Sequence, residues 1–139
     1  MIGAVILTHS LIGRELIATA EYLVGAMRGI TAVSIDNRTD ALESRKIISD
    51  AIQKVDQGKG VLVLVDLFGG VPSNLAFSFL EEGKIEVVTG VNLPMILTFW
   101  NMREHASLAE LAKSVQLAGA RSISVAKKLR ESGKDISAL

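Results

Sequence analysis

Two side chains in this 139-residue chain have types that could work as a chemical pair. They are His9, at the end of "MIGAVILTHS", and Asp66, at the end of "VLVLVD". An imidazole beside a carboxylate gains a fixed tautomer, because the carboxylate accepts the Nδ1 proton and leaves the Nε2 lone pair free to act as a nucleophile. Directly behind Asp66 the chain reads Leu67-Phe68-Gly69-Gly70-Val71-Pro72. The backbone N–H groups of Gly69, Gly70 and Val71 are unobstructed, and proline suits the first turn of a helix, where its missing N–H would be unpaired anyway. Such a start stabilises an anion through donors and dipole alike. The dipole contributes about 0.3–1 kcal/mol and each charge-assisted hydrogen bond about 1.5–3 kcal/mol. A doubly charged phosphoryl group carried on His9 would suit this loop. Each piece alone has a plainer use: a strand-end histidine packed or solvated, Asp66 a helix cap, the two glycines a turn. It is their joint placement that argues for chemistry.

That placement requires a parallel sheet. Short β-type runs alternate with longer segments of helical spacing, which is the pattern of a single α/β domain. Strands are expected at residues 2–8, 31–36, 61–65 and 85–89, the first nearly all apolar and the third wholly so, as strands covered on both faces are. In such sheets ligands gather beyond the carboxyl ends of the strands where strand order reverses. An order 2-1-3-4 sets His9 and Asp66 across that crevice. Ile12, Leu16, Ile17, Ala20, Leu23 and Val24 form one apolar helix face. Asp40 with Glu43, and Ser107 with Glu110, are capping pairs at helix starts; Asn92 caps the helix that includes Pro94. A short helix is expected from Pro72 to about Leu80, and "SISVA" at 122–126 reads as a last short strand. The domain is expected to span 1–126, with 127–139 a loosely held tail. Asp36 reads as a turn or cap residue and His105 as solvated.

Composition removes several functions. Fifteen basic and fifteen acidic residues balance, leaving no field to attract nucleic acid or an anionic membrane. The absence of cysteine excludes disulfides and thiolate metal sites and fits the cytoplasm. The longest apolar runs fall far short of the roughly 20 residues of a bilayer span, and the amino terminus reads as a strand, not a secretory signal. A hydrophobic share of 49% predicts apolar surface for another chain to cover. A receiver domain would need an acidic pair where Thr8 and His9 stand, and a flavodoxin a hydroxyl-rich loop where "THSLIGRE" turns into an apolar helix.

Three blocks, "MIGAVILTHS", "GVLVLVDLFGGVPSN" and "VVTGVNLPM", resemble in order and spacing the mannose-type enzyme IIA of the bacterial phosphoenolpyruvate-dependent sugar phosphotransferase system. The resemblance implies that His9 accepts a phosphoryl group from the phosphohistidine form of HPr and passes it to a histidine of a IIB subunit, without metal, nucleotide or other cofactor. It makes Asp66 the partner of His9 and Gly69, Gly70 and Val71 the phosphate loop. It further implies that "SISVA" is an antiparallel strand exchanged in a homodimer, completing a three-layer domain. Leu11, Leu67 and Phe68 fall on the rim, either as docking residues for HPr and IIB or as packing at the dimer interface. A regulatory module, read by a partner without sugar transport, would carry the same site. Two positions depart from the family pattern: Ser10 stands where glycine usually follows the histidine, and Val71 replaces the serine of Gly-Gly-Ser-Pro. Loss of that hydroxyl predicts slower phosphorylation.

Overall fold

The computed structural model describes residues 1–135 and 137. Four strands, β1 (Gly3–His9), β2 (Ile30–Ile35), β3 (Val61–Val65) and β4 (Ile85–Thr89), form one parallel sheet in the order β2-β1-β3-β4. Between and after them run α1 (Ile12–Val24), α2 (Ala41–Val55), α3 (Val71–Phe77), α4 (Leu93–Met102), α5 (Leu108–Arg121) and α6 (Ala126–Glu131). The alternation of a strand sorts the core into two halves. Ala4, Ile6, Leu62 and Leu64 pack with residues of α1, α4 and α5; Val5, Leu7, Val61, Val63 and Val65 pack with α2 and Ala76 of α3. The result is three layers, with both central strands buried almost throughout.

The expected caps form. Asp40 accepts from the Glu43 N–H, Ser107 and Glu110 close a reciprocal capping box, and the Asn92 side chain accepts from the Met95 N–H. Asn92 also donates to the Gly119 carbonyl at 3.3 Å, tying the start of α4 to the end of α5.

Two expectations are corrected. The inward stripe of α1 is Gly13, Leu16, Ile17 and Ala20, whereas Ile12, Leu23 and Val24 are exposed. Gly13 sets this rotation: its Cα lies so close to β1 that an added Cβ would stand 3.1 Å from Ile6 Cγ2. Residues 122–126 are not a strand in this chain. Ser122 caps the end of α5, residues 123–125 have no regular structure, and Ala126 already begins α6. A strand exists only on a partner's ladder, and among the described residues this segment lies along no sheet edge of its own chain. Among the described residues no helix is long and apolar enough to cross a membrane.

Candidate functional site

The site is built where β1 and β3 end. The ladder between them runs to the pair Leu7 and Val65, and one residue further the Asp66 side chain takes over the role of the strand. Its Oδ2 accepts from the main-chain N–H of His9 at 2.9 Å, as a next rung would, and faces the Nδ1 of the same residue at 3.0 Å. A carboxylate can only accept, so Nδ1 carries the proton and Nε2 presents its lone pair. The histidine side chain is 40% exposed and that of Asp66 13%. The imidazole is therefore open to solvent while its carboxylate is largely screened from water. Asp66 Oδ1 is buried and has no hydrogen-bond partner among the described residues.

The turn that follows His9 is held from beneath. Thr8 is fully buried, and its Oγ1 accepts from the Gly13 N–H at 3.1 Å, capping α1 from the strand because the N-cap position, Leu11, has no side chain able to do so. Between them Ser10 adopts φ +48°, the left-handed region. This explains in backbone terms why glycine suits that position.

On the other side of the crevice Gly69 and Gly70 stand at φ +93° and +92°, and Gly70 is the N-cap of α3. A Cβ built on Gly70 would lie 3.6 Å from both Cε1 and Nε2 of His9, so the loop borders the reactive edge of the ring. Val71 is the first helical residue and Pro72 the second, one position deeper than the sequence suggests. The amides at such a start have no acceptor within their own helix. With α3 only seven residues long, these local N–H groups carry more of any anion stabilisation than a helix dipole does.

The structure brings His9, Asp66 and Gly70 together and leaves other residues aside. Leu11, Leu67 and Phe68 are exposed on the two turns that flank the crevice, and Phe68 also packs at 6.1 Å, centroid to centroid, on Phe77. A cavity of about 400 Å³ opens beside the ring, lined by His9, Ser10, Ser34, Ile35, Asp36 and Asn37. Asp36 is engaged elsewhere: it accepts from the Arg38 N–H at 2.9 Å and pairs with the guanidinium, which together hold its carboxyl below the usual value. His105 is exposed. Among the described residues no cluster of three His, Cys, Asp or Glu side chains could hold a metal ion. The structural roles of Thr8 and Ser73 were not visible in the sequence, although a hydroxyl three residues after a glycine N-cap is a usable signal.

Fold and site together define a three-layer parallel α/β domain that presents a carboxylate-steered histidine at its topological switch point. Residues 3–116 match the EIIA-man family, described as the fructose IIA component of the phosphotransferase system (PTS), and the chain belongs to that family. Its relatives include the PTS fructose-specific EIIA component of Bacillus subtilis (strain 168), 37% identical over 76 residues, which are 54% of this chain and 52% of that protein. Another is the PTS mannose-specific EIIAB component of Escherichia coli (strain K12), 34% identical over 97 residues, 69% of this chain and 30% of the relative. The chain thus matches about half the length of the first and less than a third of the second. The crystal structure of phosphotransferase system component EIIA from Streptococcus agalactiae has the same fold, with a TM-score of 0.82 over 92% of this chain and 99% of that one at 21% identity.

Proposed function

We propose that this protein is a phosphocarrier of the sugar phosphotransferase system, a protein-histidine phosphotransferase working in the cytoplasm. The His9 Nε2 lone pair attacks the phosphorus of phospho-HPr; an Nε2–P bond forms as the N–P bond of the donor breaks, and the donor imidazole leaves with the electron pair. The Nδ1 proton stays in place, and the positive charge gained by the ring faces Asp66. The reverse exchange delivers the group to a histidine of a IIB subunit for sugar uptake. Transition states of this kind are loose, so alignment and charge stabilisation supply most of the catalysis. Gly69, Gly70 and Val71 would receive the phosphoryl oxygens on main-chain amides, and no cofactor takes part. The observation that carries this reading is the bond from His9 Nδ1 to Asp66 at 3.0 Å, which leaves Nε2 without a proton on a side chain that is 40% exposed.

Incubation with phosphoenolpyruvate, enzyme I and HPr, followed by intact mass at alkaline pH, tests it. One added phosphoryl group is expected in the parent and none in His9→Ala. A parent that stays unmodified refutes the proposal.

Leu11, Leu67 and Phe68 are assigned to docking of HPr and IIB, since they are exposed around the crevice. The functional domain is taken as 1–126, with the tail 127–139 outside it; α6 has no buried residue, in keeping with that limit. A homodimer formed by strand exchange is supported by three features. Beyond the bridge of Ile85 to Glu81, the outer edge of β4 has no strand neighbour among the described residues, and a groove of about 560 Å³ beside it is lined by Phe68, Phe77, Glu86–Thr89 and residues of α5. Ile123 and Val125, alternating with serine, are exposed. Light scattering of the intact chain would report the dimer, and a monomer at micromolar concentration would exclude it.

A further inference from the structure

We propose that Ser73 is a positioning residue for phosphoryl transfer, holding Gly70 against the reactive edge of His9; the inference rests on the phosphocarrier reading. Val71 leaves this chain without a hydroxyl at the position where the family pattern has serine, yet a hydroxyl stands two residues further on. Ser73 is fully buried, and its Oγ donates to the Gly70 carbonyl at 3.1 Å. The same carbonyl accepts from the Asn74 N–H at 3.2 Å.

The loop has little else to fix it. Gly69 and Gly70 are both at positive φ, Gly70 offers no capping side chain, and a Cβ on Gly69 would meet nothing within 4 Å. Two successive glycines lose more backbone freedom on ordering than other residues do. A brace that sets the Gly70 peptide therefore sets the gap between the loop and Nε2, across which any transferred group must pass. Ser78, Ser122 and Ser132 make the same three-residue bond, but all three are exposed at the ends of their helices. Ser73 alone among them is closed off from water and anchored on the glycine that faces the histidine. It touches no reacting atom. On this reading the hydroxyl missing at Val71 is replaced in part, and phosphorylation suffers less than the sequence suggests.

The test compares the parent, Ser73→Ala and, as a control for deleting a buried serine outside the glycine loop, Ser44→Ala on α2. Initial rates of phosphorylation by phospho-HPr are measured over a range of its concentration, with hydrogen exchange of the Gly69, Gly70 and Val71 amides by NMR in the unphosphorylated proteins. Ser73→Ala is expected to lower the maximal rate about 3- to 10-fold, the ordering that one neutral hydrogen bond provides, with the KM for phospho-HPr unchanged and faster exchange in the loop. Ser44→Ala is expected to match the parent in both. If Ser73→Ala transfers as fast as the parent, or if its loop amides exchange no faster, Ser73 has no positioning role while the carrier reading stands. Should Ser73→Ala fold poorly, Ser73→Cys, which keeps similar volume and a weak donor, must fall between parent and loss, and parental values in it would equally overturn the proposal. A parent that takes up no phosphoryl group at all defeats the carrier reading itself.

Discussion

Asp66→Asn isolates the part of the site that steers the imidazole. The carboxylate oxygen Oδ2 receives two N–H groups from one residue, the His9 main chain at 2.9 Å and Nδ1 at 3.0 Å. A carboxamide is nearly the same size and its oxygen can accept both, so the strand end and the preferred tautomer are kept. What changes is charge. A hydrogen bond to an ionised group contributes about 1.5–3 kcal/mol and a neutral one about 0.5–1.5, so the Nδ1 bond weakens by about 1–1.5 kcal/mol. Attack at Nε2 makes the ring cationic, and the charged partner stabilises that developing charge more than it does the neutral ground state. The weakening therefore falls on the barrier and predicts a rate about 5- to 15-fold lower, each 1.36 kcal/mol being a factor of ten. The amide nitrogen then takes the buried Oδ1 position. If the carboxamide instead flips, its NH₂ faces Nδ1, the proton moves to Nε2, and the loss is larger still. The assay is quench-flow with phospho-HPr and intact-mass detection, with melting temperature measured alongside. A variant that folds normally and transfers as fast as the parent would remove Asp66 from the mechanism.

Three further outcomes are expected. Ser10→Gly should stabilise the fold by about 0.5–1 kcal/mol in chemical denaturation: relief of a left-handed conformation returns about 1–2 kcal/mol, offset by about 0.4–1 for the freer unfolded chain; a destabilised variant would show that φ +48° at this position is not strained. Phe68→Ala should raise the KM for phospho-HPr several-fold and leave the saturating rate intact, and normal transfer to and from both partners would remove Phe68 from docking, leaving its place in the groove beside β4 as its role. Hydrogen bonds from the main chain and side chain of Ser107 lower the Glu110 pKa from 4.5. A depressed carboxylate stabilises the fold above its unfolded pKa and loses that contribution as pH falls through the folded value. The stability difference between the parent and Glu110→Gln, measured by denaturation from pH 7 to pH 3, should therefore shrink on acidification. A difference constant with pH would exclude the charge of the capping box as its source.

What the sequence could reveal depended on whether the signal lay in residue type or in geometry. His9 and Asp66 were legible because strand ends are marked by abrupt changes from apolar to polar residues, and because the order 2-1-3-4 makes the first and third strands neighbours. Caps were legible for the same reason: Asp40, Asn92 and Ser107 act on amides three residues away. The rotation of α1 was not, since Ile12 and Leu23 are as apolar as Leu16 and Ile17, and only the close approach of Gly13 to β1 decides which of them face the sheet. Arg103 fell in a stretch that reads as a polar connection, yet it is buried, stacked 3.9 Å over Trp100 and donating to the Arg28 carbonyl. The three-residue spacing of Trp100 and Arg103, which sets both on one helix face, was the available hint. Residues 122–126 misled in the other direction: serines alternating with Ile123 and Val125 have the two-residue period of a strand, but among the described residues no strand of the chain lies beside them to pair with. The site itself divides along the same line. The sequence names the imidazole and the carboxylate that meet across the crevice; the buried hydroxyls of Thr8 and Ser73, which bond to backbone atoms five and three residues away, emerge only when the turns on either side of the crevice are built. The His9 side chain is 40% exposed, so the rigidity of its surroundings has to come from below it, and both buried hydroxyls lie on that side.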